Sequence, residues 1–104
     1  MTIELFYFCC CPSYGNAAEA VREALRLEGR TEEVAMVPVE TEAEAQRQRL
    51  IGSPTVRIDG CDLEGPDAEA RGYGLGCRIY VEEQAIAGWP SVELIRRALR
   101  GAGR

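Results

Sequence analysis

Five cysteines stand in a chain of 104 residues, and three are consecutive: Cys9-Cys10-Cys11, followed at once by Pro12. The thiolate is the reactive form of cysteine, and a free thiol with a pKa of about 8.5 is mostly protonated at neutral pH. The cluster is therefore useful only where its surroundings favour the anion. Two chemistries fit. In thiol–disulfide exchange one cysteine attacks and a neighbour resolves. Strand alternation sends Cys9 and Cys11 one way and Cys10 the other, so Cys9 is the first resolver to consider for Cys11. A Cys-x-Cys ring is tight and strained, so such a pair would be relatively oxidising. In the other chemistry, Cys9, Cys10 and Cys11 capture a soft metal or metalloid as clustered thiolates. A domain without catalysis, used for interaction, is the third reading, and all three stay open at this point.

Composition removes several alternatives. All 12 basic residues are arginine, and histidine is absent. Without histidine there is no Ser-His or Cys-His nucleophile pair and no histidine general base. Without lysine there is no Schiff base and no P-loop. The net charge of −5 and the scattered arginines argue against nucleic acid as a partner. No apolar run reaches the ~18 residues of a membrane span, and the N-terminus lacks the basic and apolar regions of a secretory signal. The expected location is the cytosol. Cysteines there point to redox or metal chemistry before a disulfide framework.

The elements that must position the cluster follow from periodicity. Residues 1–104 fit one domain. Ile3 to Phe8 is an apolar run of strand length. Pro12 suits the first position of a helix, whose apolar stripe is Ala17, Ala20, Val21, Ala24, Leu25 and Leu27, with Gly29 as C-cap. Cys11 thus falls at a helix start, where unpaired N–H groups and the macrodipole favour a thiolate. Val34 to Val39 is a second strand. Thr41-Glu42-Ala43-Glu44 has capping-box spacing and opens a helix to about Leu50. Gly52-Ser53-Pro54 breaks the chain before a third strand, Thr55 to Ile58, and Asp59-Gly60 signals a turn. Residues 60–76 form a long glycine-rich loop, Cys77 to Val81 a fourth strand antiparallel to the third, and a last helix opens at Trp89-Pro90-Ser91 and closes at Gly101. The order is β-α-β-α-β-β-α: an α/β domain with a four-stranded mixed sheet and three helices.

Two stretches resemble the thioredoxin/glutaredoxin superfamily. Phe6-Tyr7-Phe8-Cys9-Cys10-Cys11-Pro12-Ser13-Tyr14 is similar to its strand-to-helix active-site turn, and Gly52-Ser53-Pro54-Thr55-Val56-Arg57-Ile58-Asp59-Gly60 to its cis-proline strand. The chain also resembles small bacterial thioredoxin-like proteins that lack Cys-x-x-Cys. It departs from the family where Tyr14 stands in place of a second cysteine. The resemblance implies a thioredoxin-like fold, a cis peptide before Pro54, and a substrate wall of Ser53 and Pro54 beside Cys11. On the dipeptide alone, Pro54 could simply open an edge strand. Tyr14 is expected to cover the turn and is a candidate substrate contact. The implied partner is a protein or small-molecule thiol or disulfide. No bound cofactor is required, and glutathione or another low-molecular-weight thiol could act as reductant.

Cys61 and Cys77 bracket the long loop. If the third and fourth strands pair, their facing ends lie together at the sheet end away from Cys11. A Cys61–Cys77 disulfide would close about 15 residues and contribute about 3 kcal/mol. If the loop instead folds back over the cluster, Cys77 becomes a resolving thiol or a third metal ligand. Tyr73 and Trp89 are, with Tyr14, candidates for ligand contact, and Trp89 is expected to pack the start of the last helix. The acidic stretch from Glu40 to Glu44 reads as a solvated helix start.

Overall fold

The computed structural model describes residues 2–8, 14–65, 72–74, 78–82 and 85–102. Cys9, Cys10, Cys11, Pro12, Ser13 and Cys77 lie outside the described residues.

The first strand, β1 (Ile3–Tyr7), occupies the middle of a four-stranded sheet. Strand β2 (Val34–Pro38) runs parallel to it on one side, and β3 (Thr55–Ile58) antiparallel on the other. The short strand β4 (Cys61–Asp62) completes the order β2-β1-β3-β4. The parallel pair needs a crossover, supplied by α1 (Tyr14–Leu27). Helix α2 (Glu42–Arg47) links β2 to β3. Beyond residue 78 come the antiparallel hairpin of β5 (Tyr80–Glu82) and β6 (Ala85–Ala87), and then α3 (Val92–Ala102). Among the described residues this is an α/β fold with a four-stranded mixed sheet, a separate two-stranded one and three helices.

Alternation along β1 divides the core. Ile3 and Leu5 face α1 and α3, packing with Val21, Ala24, Ile95 and Leu99. Phe6 points the other way, onto Val39, Ala45 and Leu50 beneath α2. Two helices thus cover one face and a single short helix the other. Helix ends follow local chemistry. Thr41 Oγ1 accepts from the Glu44 N–H, at 3.1 Å, as its spacing predicts. Gly29, at φ +68°, ends α1 with Arg30 N donating to Leu25 O. Arg49 takes the same left-handed role after α2, at φ +58°. Arg57 of β3 donates to the carbonyls of Gln48 and Arg49 there, while its guanidinium lies 4.5 Å from the Phe6 ring centre.

The expected fourth strand is corrected. β3 pairs with Cys61–Asp62, while Tyr80 and Val81 of the expected strand pair with β6. Asp59 (φ +52°) and Gly60 (φ +82°) both adopt left-handed backbone, as a two-residue hairpin turn requires, so the partner strand starts immediately after Gly60. The segment expected as the fourth strand contributes instead to β5, whose partner is β6. Element bounds also shift. Helix α2 stops at Arg47, and α3 runs through Gly101 to Ala102. No helix among the described residues is long and apolar enough to cross a membrane.

Candidate functional site

The Ser53-Pro54 peptide is cis. It opens β3 at the sheet end where β1 finishes. Ser53 is 1% exposed, and its Oγ accepts from the backbone N–H of Phe8 at 3.3 Å. Phe8 immediately precedes Cys9. The bond therefore ties the prolyl turn to the last described residue before the cysteine cluster.

The far side of the cluster is tied as well. Tyr7, closing β1, stacks on Tyr14, opening α1, with ring centres 4.7 Å apart and planes 18° from parallel. An offset pair of this kind contributes about 0.5–1.5 kcal/mol beyond its buried area. Tyr14 is still 37% exposed, so one side of its ring meets solvent. The first turn of α1 carries no acidic residue, in contrast to α2, where Glu42 and Glu44 occupy it. The first turn of α1 thus sets no carboxylate of its own against the positive end of the helix.

A third segment reaches the same place. The backbone N–H of Arg78 donates to Ser53 O, at 2.9 Å. Its side chain lies under the turn. Nη1 and Nη2 form a fork on the Asp62 carboxylate at 2.6 and 2.7 Å, Nη2 also reaches Glu64 at 2.7 Å, and Nη1 donates to Thr55 Oγ1 at 3.2 Å. Thr55 Oγ1 in turn donates to Gly52 O at 2.6 Å. The guanidinium sits 4.6 Å from the centre of the Tyr80 ring, and the Tyr80 hydroxyl donates to Pro54 O at 2.7 Å. Burial disfavours the arginine charge, but the Asp62 hydrogen bonds, the pull of Tyr80 and Asp62, and the Glu64 bond outweigh it, and the Arg78 pKa is raised. Nε is buried without a hydrogen-bonding partner among the described residues. Ser53, Pro54, Thr55, Arg78 and Tyr80 are all buried, so the prolyl turn is held by hydrogen-bonded groups out of contact with solvent.

The remaining candidates lie elsewhere. Cys61 is an exposed, free thiol. It pairs with Ile58 at the opposite end of β3 from Ser53, and lines a cavity of about 440 Å³ with Ile58, Leu63 and Ala98. Arg78, the residue after Cys77, is bonded at the Ser53 end. Tyr73 is bonded to α2 and the residues just after it: its hydroxyl accepts from Arg49 Nε at 3.2 Å and its carbonyl from Gln46. Trp89 stays 37% exposed before α3, where Ser91 caps the helix and bonds Glu82.

Sequence reasoning did not reach Arg78, Tyr80 or Tyr7. Arg78 and Tyr80 share one side of an extended segment, and that spacing is the signal that could have found them. No family model, curated protein or solved structure matches the chain.

Proposed function

We propose that the chain is a thioredoxin-like thiol–disulfide oxidoreductase in which Cys11 is the attacking thiolate. The observation that carries the reading is the buried cis Ser53-Pro54 turn, bonded through Ser53 to the Phe8 amide beside the cysteine cluster. The sheet order β2-β1-β3-β4, with α1 and α3 on one face and α2 on the other, supports it. So does the absence of acidic side chains in the first turn of α1, which leaves its dipole for a sulfur anion.

In the proposed reaction the Cys11 thiolate attacks one sulfur of a partner disulfide. That S–S bond breaks, and the departing sulfur leaves as a thiolate and takes a proton. Cys11 is then joined to the partner in a mixed disulfide. Cys9, as thiolate, attacks the Cys11 sulfur, with Cys10 the second candidate for this step. The partner leaves as its second thiol, and the pair remains as a disulfide. A low-molecular-weight thiol such as glutathione returns it to the dithiol, two equivalents becoming one disulfide. Ser53 and Pro54 form the wall against which the partner lies, and Tyr14 borders it. The compartment that fits this cycle is a reducing cytosol.

Alkylation tests the reading. With iodoacetamide at pH 6, Cys11 should react at least about tenfold faster than Cys61 or Cys77, because only a lowered thiol pKa leaves thiolate at that pH. Equal, slow alkylation of all five cysteines, read by peptide mass spectrometry, overturns it.

A further inference from the structure

We infer that Arg78 and Tyr80 are positioning residues that hold the Ser53-Pro54 wall in register with a disulfide partner. The inference rests on the thiol–disulfide reading above and adds to it the groups that fix the wall.

The argument is one of anchoring. A wall that aligns a partner must keep its backbone groups in place within a fraction of an ångström. Ser53 and Pro54 each offer one carbonyl, and each carbonyl has a donor from the same short segment. Arg78 N–H holds Ser53 O at 2.9 Å, and the Tyr80 hydroxyl holds Pro54 O at 2.7 Å. The donors are themselves fixed. The Arg78 guanidinium is 1% exposed, forked on Asp62, bonded to Glu64 and stacked against Tyr80. Asp62 belongs to β4, which hangs from β3 by the Asp59-Gly60 turn. The brace is therefore a closed circuit: β3 to β4, β4 to Arg78, Arg78 and Tyr80 back to the start of β3. Thr55 Oγ1 adds an inner link between the guanidinium and Gly52 O. An arginine suits this place because its planar fork engages two carboxylates and a hydroxyl at once, which an ammonium cannot do in fixed geometry.

A purely structural role would lower stability and leave the specificity of exchange untouched. A positioning role separates two rates. Iodoacetamide needs only an exposed thiolate, whereas a disulfide must lie along the wall for its sulfurs to align with the attacking thiolate.

The experiment uses the full chain carrying Cys61→Ser, which removes the exposed thiol at the far end of β3, as parent. Tyr80→Phe deletes one hydroxyl and keeps the ring. Arg78→Lys keeps the charge and loses the fork. Rates of exchange with a cystine-containing peptide, and of alkylation by iodoacetamide, are followed at pH 7. Exchange should fall about tenfold in both variants, while alkylation stays within about twofold of the parent. Should Arg78→Lys lose its fold, Tyr80→Phe alone decides. Unchanged exchange, or exchange and alkylation falling together, overturns the brace and leaves the thiol–disulfide reading standing. A parent that does not exchange at all removes both.

Discussion

Two arginine–carboxylate clusters in this molecule have mirrored stoichiometry. In one, a single arginine, Arg78, meets two carboxylates, Asp62 and Glu64, with the guanidinium 1% exposed. In the other, a single carboxylate, Glu28 at the end of α1, meets two arginines of α3, Arg96 and Arg100, with Arg100 47% exposed. Their distances are alike, from 2.6 to 3.1 Å. Their surroundings are not. Water screens the Glu28 cluster, so its pairs act as a light clasp between two helices already packed through Val21, Ile95 and Leu99. The Arg78 guanidinium, 1% exposed, has given up its water and depends on its carboxylates for solvation. The lesson is that contact distance says little about consequence. Burial decides which cluster the fold can lose.

That contrast can be broken experimentally, and the largest effect belongs to Arg78. Arg78→Met should cost about 3–5 kcal/mol in urea unfolding, since it removes the forked partner of Asp62, whose side chain is only 8% exposed. A loss below about 1 kcal/mol would place this cluster in the same class as the exposed one. Tyr80→Phe should cost about 1–2 kcal/mol, because the Pro54 carbonyl is left unbonded in a buried place. Glu28→Gln should have a smaller effect that depends on salt and acid. Hydrogen bonds from Arg100 and then Arg96 hold the Glu28 pKa below its ordinary 4.5. Its contribution is thus complete above the unfolded carboxylate pKa and disappears as pH falls through the lowered folded value. Stability curves of the parent and Glu28→Gln should converge below that range, and in high salt; a gap that survives both would mean the clasp is not electrostatic. Cys61→Ser should be the quietest change, within about 0.5 kcal/mol, since the thiol is exposed and pairs only through its backbone.

Much of this arrangement is legible in the amino-acid sequence. The stripe in α1 from Ala17 to Leu25, the Thr41 cap and the Gly29 stop all follow from local rules that tertiary contacts do not override, whereas Leu27, expected in the same stripe, is 43% exposed past the reach of α3 and the sheet. The cis peptide at Pro54 follows from a resemblance, not from the dipeptide. The hairpin partner of β3 is not legible, although Asp59-Gly60 marks its turn. Cys61-Asp62 has neither β-branched nor aromatic residues to declare a strand, and the apolar run near Ile79 is the stronger strand signal. In that run polarity misleads. Hydrophobicity would turn Ile79 inward, yet Ile79 is 58% exposed while Arg78 and Tyr80 are buried at 3% and 1%. The carboxylates that make an inward arginine tolerable lie on β4 and just beyond it, far back in the chain, so no local window contains the reason. The Cys9–Cys11 cluster lies outside the described residues, and only its borders, Phe8 and Tyr14, bear on it.

The stacked Tyr7 and Tyr14 rings make those borders optically visible. Two phenols 4.7 Å apart in nearly parallel planes couple their transitions. Their near-ultraviolet circular dichroism therefore depends on their mutual angle. One ring rides on the sheet and the other on the first helix, so the signal reads how strand and helix are oriented across residues 9–13. Oxidation or alkylation of the cluster can thus be followed without a label, by watching whether the phenols keep their angle.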